Sequence, residues 1–294
     1  MRIYDCFIYF NENTILDIRL NILNDYVDKF VIVEATRDHA GRKKKLNFNI
    51  NNFKKFEKKI VYIIVNDIPL IVKSHKNGWH PNHVRENFHR NRILKGLKDA
   101  AENDLILISD VDEIPNLPNL SNLKNLLEKN KFLFFRQKFF RYKLNLSIIN
   151  KKEEKLIFNS KYRDWIGTVA SLKKNLISPQ YLRDLRNKAE KYLFAKKKKF
   201  FSKQFFLFRP YIVENGGWHF SYVNSPKMIV NKILSFAHGD LVTKVNTNIK
   251  SIKSKIIKKI DPIELDYKLG KIKISKIFPS YIIKNKKKLK RWII

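Results

Sequence analysis

The stretch Leu105-Ile-Leu-Ile-Ser-Asp-Val-Asp-Glu-Ile-Pro115 sets the carboxylates of Asp110, Asp112 and Glu113 directly after a short apolar run. Side chains at i and i+2 of an extended segment project to the same side. Asp110 and Asp112 are therefore expected to present oxygens to one point, directly or through water. Hard divalent cations prefer such ligands, and Mg²⁺ or Mn²⁺ keeps coordination places for phosphate oxygens. The competing reading is a surface Asp-x-Asp turn that caps the next helix. The location after a buried strand favours the cation, because carboxylates packed there repel one another until something positive neutralises them.

The elements that must position this tip follow a β-α-β rhythm. "RIYDCFIYF" (2–10), "KFVIVEAT" (29–36) and "KIVYIIVND" (59–67) read as strands, and 105–109 as a fourth. Between the first two, 14–27 places Leu16, Leu20, Leu23 and Val27 on one helical face. A second helix is expected over 83–103, with Val84, Phe88, Leu94 and Leu97 inward. Such alternation implies a mostly parallel sheet with helices on both faces, whose ligands sit beyond the carboxyl ends of the strands. Farther on, 132–146 and 155–172 read as long strands antiparallel to each other, 195–204 as a basic loop, and 204–222 as strand around a Gly-Gly turn. Ser225-Pro226 reads as a helix start, with the helix running to about Ala237.

The chain has 294 residues, 44% hydrophobic and 13% aromatic, enough for a substantial core. Its 61 Lys+Arg against 27 Asp+Glu give +34, which points to anionic partners or to lysine accumulated on solvated faces. A single cysteine, Cys6, excludes an internal disulfide framework and fits a reducing compartment. The N-terminus lacks the apolar run of a signal peptide, so a cytoplasmic protein is expected, peripheral to the inner membrane face at most. No G-x-x-x-x-G-K-[ST] or G-x-G-x-x-G occurs among the eight glycines, which excludes P-loop and dinucleotide fingerprints. A haloacid-dehalogenase-type phosphatase carries its Asp-x-Asp on the first strand, whereas three strands precede this one. A basic nucleic-acid-binding protein or metal-dependent nuclease remains the alternative, although no recognised nucleic-acid motif accompanies the charge.

Four segments, "YDCFIYFNENTILDIRLNIL", "FVIVEAT", "ILISDVDEIP" and "GGWHFSYVNSPKMIVNKILSFAHGD", together resemble glycosyltransferase family 17 from about residue 2 to residue 240. The resemblance implies a GT-A fold over 1–240, with a nucleotide-binding half to about 115 and an acceptor half from 116, followed by a basic helical extension over 241–294. It implies an inverting transfer, most simply of GlcNAc from UDP-GlcNAc, to a glycan or glycolipid in cell-surface or lipopolysaccharide assembly. A catalytically silent scaffold of that fold is a further possibility.

Carried onto this chain, Asp110 and Asp112 become the Mn²⁺ or Mg²⁺ and diphosphate residues, with Glu113 behind them. His219 completes the metal site, or else is a core histidine beside Trp218 and Phe220. Asn11, Glu12, Glu34 and Thr36 close the first two strands, where the nucleotide is expected. Glu86 and Arg90 form an i,i+4 pair that touches the nucleotide or simply pairs on the surface. Lys232 contacts phosphate or is a solvated lysine. Asp240 is the favoured base, with Glu214 and Asp164 as alternatives, and Trp165 beside Gly167 and Thr168 stacks on an acceptor sugar or packs in the core. The tail "IIKNKKKLKRWII" (282–294) suits adsorption to anionic lipid, or is a frayed basic terminus.

Overall fold

The computed structural model describes residues 1–72, 80–117, 123–152, 161–197, 209–237, 242–263 and 267–294. Four strands, β1 (Ile3–Ile8), β2 (Lys29–Ala35), β3 (Ile60–Val65) and β4 (Leu105–Asp110), pair in parallel in the order β4-β1-β2-β3. The expected parallel α/β half is present. Beyond β4 the sheet turns antiparallel through β8 (Asp164–Leu172), β6 (Leu133–Arg141), β7 (Leu146–Ile148) and β10 (Leu269–Lys271). The expected antiparallel pairing of the two long strands holds as β6 against β8. A side branch joins β5 (Glu113–Pro115) to β9 (Tyr211–Ser221), which lies parallel to β6.

Helices cover both faces, as the alternation requires. Helix α1 (Asn13–Leu23) buries Ile15, Leu16, Leu20 and Leu23 on one face, in the same core as Phe7, Phe30 and Leu107. The opposite face packs Cys6, Val31 and Ile106 against Ile93, Leu97 and the Leu182, Leu185 and Ala189 stripe of α4 (Pro179–Lys197). Three more helices complete the part that concerns the site: α2 (Pro81–Asn91), α3 (Leu123–Lys129) and α5 (Pro226–Ser235). The Ser225 hydroxyl accepts the Met228 N–H and so caps α5, as Ser-Pro predicts.

Several boundaries differ from expectation. The helix drawn over 83–103 ends at Asn91 and tightens into a 3₁₀ segment, Arg92–Leu97. Three residues per turn instead of 3.6 rotates the inward face, so Ile93 is buried and Leu94 lies exposed. Gly96 permits this segment to approach the sheet, since a Cβ there would sit 2.4 Å from Val31. The Gly-Gly pair makes no turn. Strand β9 runs through it, and Gly217, at φ +138°, lets β5 come so close that a Cβ would lie 2.1 Å from the Ile114 carbonyl oxygen.

Of the segment expected as a basic loop, 195–197 belong to α4, and 198–204 lie outside the described residues. The C-terminal part is built into the body. Strand β10 extends the sheet, α6 (Ile249–Lys258) packs through Ile252, and α7 (Ser280–Lys284) places Ile282 in the core with Leu289. Of the tail's apolar residues, Ile282 and Leu289 are buried and Ile283, Trp292 and Ile293 pack partly against the same core, while Ile294 is exposed. No helix among the described residues is long and apolar enough to cross a membrane.

Candidate active site

The carboxyl ends of β1 and β4 are in register, with Ile8 opposite Asp110. Strand β1 has β4 on one side and β2 on the other, so the strand order reverses here, and the crevice at such a reversal is the usual ligand site of an open α/β sheet. A cavity of about 480 Å³ occupies it, lined by Glu12, Glu86, Asp110, Asp112, Trp165, His219 and Lys232, among others. Seven of the residues singled out from the sequence thus meet in one place.

The acidic tip departs from the expected geometry. A turn at Val111-Asp112 interrupts the extended chain, and the carboxylates of Asp110 and Asp112 line the same cavity but take different partners. Asp110 accepts from Arg90 on α2 and from Arg183 on α4, at 2.8 Å each. Asp112 accepts from Lys232 Nζ at 3.0 Å, and its other oxygen lies 3.4 Å from His219 Nε2. Glu113 is fully buried; Arg183 grips it with two bonds of 2.7 Å, and Trp165 Nε1 and the Asp110 N–H donate to it. It stands behind the tip and orients it, as expected.

Behind the tip sits a residue that the sequence reading passed over. Arg19 of α1 is fully buried, paired with Asp5 at 2.6 and 2.7 Å. The same guanidinium donates to the carbonyls of Asp110, Val111 and Glu113 and to the Ser109 hydroxyl. The tip is therefore tied down through its backbone. Its signal was legible: an arginine inside the apolar stripe of α1, and an aspartate inside an apolar strand.

Charge follows from these pairings. Burial alone would raise the Asp110 carboxyl, but Arg183 and Arg90 hold it well below the ordinary range. Burial likewise opposes ionisation of Asp112, and Lys232 with His219 more than offsets it. For Lys232 burial acts downward, while Asp112 and Glu12 push the ammonium above its usual value. Glu86 is desolvated too, yet its bond with Arg90 at 2.6 Å holds it at about 2. His39 and His89 approach to 3.3 Å on the cavity wall, and burial lowers both imidazoles, so both are neutral near pH 7.

The other expected positions sort as follows. The Glu12 carboxylate accepts the Phe10 and Asn11 N–H groups and pairs with Lys232 at 3.0 Å. Asn11 lines a small adjoining cavity with Glu12, Asp112 and Lys232. Glu34 is buried away from the main cavity, where it accepts from Lys44, Tyr62 and the Asn47 and Phe48 N–H groups and shapes that loop. Thr36 binds the Val65 carbonyl. Neither therefore lines the place expected of a nucleotide contact, because the strand end turns them into loop-holding residues. Arg90 is buried and reaches the cavity only through Glu86 and Asp110.

Of the candidate bases, Asp164 and Glu214 both pair with Arg136, and neither lines the cavity. Asp240 lies outside the described residues. Gly167 and Thr168 are in β8 against Glu113, with Thr168 donating to the Glu113 carbonyl. Trp165 lines the cavity and packs with Phe139 and His219.

Adjacent ligands at about 2.1 Å from one hard cation stand roughly 3 Å apart, so the 3.4 Å gap between Asp112 and His219 fits a shared ion. Asp110 also lines the cavity, and each of its oxygens accepts from one arginine and keeps a second lone pair. No group of three His, Cys, Asp or Glu side chains is gathered in ligating geometry among the described residues.

Residues 1–164 match the sequence profile described as Glycosyltransferase family 17. The β-1,4-mannosyl-glycoprotein 4-β-N-acetylglucosaminyltransferases of Homo sapiens and Rattus norvegicus are 28% identical over 109 residues, and that of Mus musculus 27%. The match takes in 36% of this chain and 20% of each relative, so the chain aligns with about a fifth of their length. A crystal structure of S. aureus TarS 1-349 superposes with a TM-score of 0.35 at 13% identity, over 80% of this chain and 66% of that one. With a profile match over more than half its length, from β1 to the start of β8, the chain belongs to glycosyltransferase family 17.

Proposed function

We propose that the protein is a GT-A-type inverting glycosyltransferase that moves GlcNAc from UDP-GlcNAc to a hydroxyl of a glycan or glycolipid, with Mn²⁺ or Mg²⁺ at Asp112 and His219. One observation carries this reading. The cavity at the strand-order reversal is bordered by an acidic tip whose counter-charges, Lys232, Arg90 and Arg183, come from three different helices.

A divalent ion bound there supplies positive charge to the diphosphate that leaves with the nucleotide. The protein's own part is positional. Arg19 fixes the backbone of the tip, Arg90 and Arg183 keep Asp110 ionised and still, and Lys232 brings an ammonium to the cavity edge. Trp165, Phe139, Tyr222 and Phe236 give the cavity aromatic faces, which suit the C–H surface of a sugar ring.

Transfer also needs a base to take the acceptor proton. Every described carboxylate that lines the cavity is already paired: Glu12 and Asp112 with Lys232, Asp38 with Arg42, Glu86 with Arg90, and Asp110 with two arginines. A carboxylate stabilised in this way is a weak base. This favours Asp240, which follows the cavity-lining Ala237 by three residues. A second reading rests on His39, an imidazole on the cavity wall that burial keeps neutral.

Thermal unfolding in UDP with and without Mn²⁺ tests the site. Metal-dependent protection in wild type that disappears in Asp112→Asn supports it, and protection that persists in that variant refutes it. Metal-dependent hydrolysis across UDP- and GDP-sugars identifies the donor. Turnover of Asp240→Asn against His39→Ala then assigns the base.

A further inference from the structure

The segment 242–294 carries 16 Lys+Arg against three Asp+Glu, a net +13 of the chain's +34 in under a fifth of its length. None of the three acids precedes Asp261, so lysine is the only charged residue over 242–260. Helix α6 runs through that stretch and buries Ile252 in one cluster with Ile229 and Ile233 of α5 and Leu269 of β10. Its outer side carries Ile249, Lys253 and Ile257 at successive turns, flanked by Lys250 and Lys258, and all five are exposed. Ile257 is 79% exposed. None of the three lysines meets a carboxylate among the described residues. The Leu269 N–H bonds the Lys259 carbonyl at 2.7 Å, so the end of α6 adjoins the β10 edge of the sheet, where Lys268 and Lys271 are exposed as well.

We infer that the outer side of α6, with the β10 edge beside it, docks on an anionic phospholipid bilayer. Lysines alone suit any polyanion. The two isoleucines among them gain nothing from a nucleic-acid backbone, whereas the boundary of a bilayer takes apolar side chains while lysine stems hold their ammonium groups at the phosphates. The position of the surface gives docking a use, and for that use alone the inference rests on the glycolipid acceptor proposed above. Helix α6 packs on α5, whose Lys232 and Ser235 line the cavity. Just past α6, Asp261 pairs at 2.8 Å with the cavity-lining Arg141, and Ile263 lines the cavity too. A helix is about 10–12 Å across, so a bilayer touching α6 lies about one helix layer from the cavity wall. That separation suits a sugar chain still attached to its lipid.

Flotation of the full chain with phosphatidylcholine vesicles, with and without phosphatidylglycerol, tests this in the absence of donor and metal. Wild type is expected to float with the anionic vesicles, to stay behind with the neutral ones, and to be released by salt. At about fivefold for each lysine held near an anionic surface, Lys250→Gln/Lys253→Gln/Lys258→Gln should bind roughly a hundredfold more weakly. The corresponding triple Lys→Arg variant keeps the charge and should bind as wild type does. Ile257→Ser should lose roughly tenfold on anionic vesicles and nothing on duplex DNA. The substituted positions are exposed, so all three variants should melt with wild type. The inference is overturned if wild type ignores the anionic vesicles, if the glutamine variant floats as well as wild type, or if Ile257→Ser changes vesicle and DNA binding alike. Absence of metal-dependent protection by UDP would instead sink the transferase reading and leave these vesicle measurements standing.

Discussion

Replacing Arg19 by methionine removes the largest single tether of the acidic tip, and its cost can be worked from the contacts. Arg19 and Asp5 are both fully buried, with bonds of 2.6 and 2.7 Å between them. Breaking a buried pair from one side leaves an uncompensated charge and costs about 3–5 kcal/mol. A domain is stable by only about 5–15 kcal/mol in total. At roughly 2–4 °C per kcal/mol for a larger domain, the melting temperature of Arg19→Met should fall by about 10 °C. The carbonyls of Asp110, Val111 and Glu113 lose a shared donor at the same time. UDP affinity should therefore fall as well. The double variant Asp5→Leu/Arg19→Met separates the two effects. Replacing a buried ion pair by apolar groups is often close to neutral, so much of the melting temperature should return while UDP affinity stays low. Differential scanning calorimetry and nucleotide titration read the two quantities. An Arg19→Met protein that melts within about 2 °C of wild type, or a double variant that binds UDP normally, would refute the tether.

Gly217→Ala combines a left-handed backbone with a Cβ placed 2.1 Å from the Ile114 carbonyl oxygen, so it should cost about 3 kcal/mol or more and pull β5 away from β9; an unchanged urea midpoint would contradict this. Because Arg90 holds Glu86 at about 2, below the roughly 4.3 of an unfolded glutamate, this pair's stabilisation is complete above that unfolded value and is lost as pH falls toward 2. Urea unfolding between about pH 5 and 2 should accordingly show a shallower loss of stability in Glu86→Gln than in wild type. Deleting 282–294 takes Ile282 and Leu289 out of the core at roughly 1.5–3 kcal/mol each. The truncated protein should melt well below wild type, and equal melting temperatures would return the tail to the role of a loose lipid anchor.

The parallel half could be read from the chain because its strands are continuous apolar runs, and buried strands need no partner information to be recognised. The cavity's place followed from the same logic. What escaped were features decided by groups distant in sequence. Asp110 and Asp112 are split between different partners, Arg90 and Arg183 binding one carboxylate and Lys232 the other. Helix α4, the source of Arg183, is masked by its lysines, although Leu182, Leu185 and Ala189 keep a helical spacing. Glu34 and Thr36 sit at a strand end, where chemistry is expected, yet Lys44, Tyr62 and Val65 claim them for the loop. The two charged residues in apolar settings, Asp5 and Arg19, were the most informative signal left unused.

Pairing of β5 with β9 sets Glu113 opposite His219, and the bond from Lys232 to Asp112 spans 120 positions. During synthesis the acidic tip leaves the ribosome long before the segments that complete it. Ordering so late a strand beside so early a loop is slow, because loop closure precedes any reward from contact. The pocket thus closes only once β9 and α5 have been made, and a nascent chain that stops short of α5 carries the tip without its Lys232 partner.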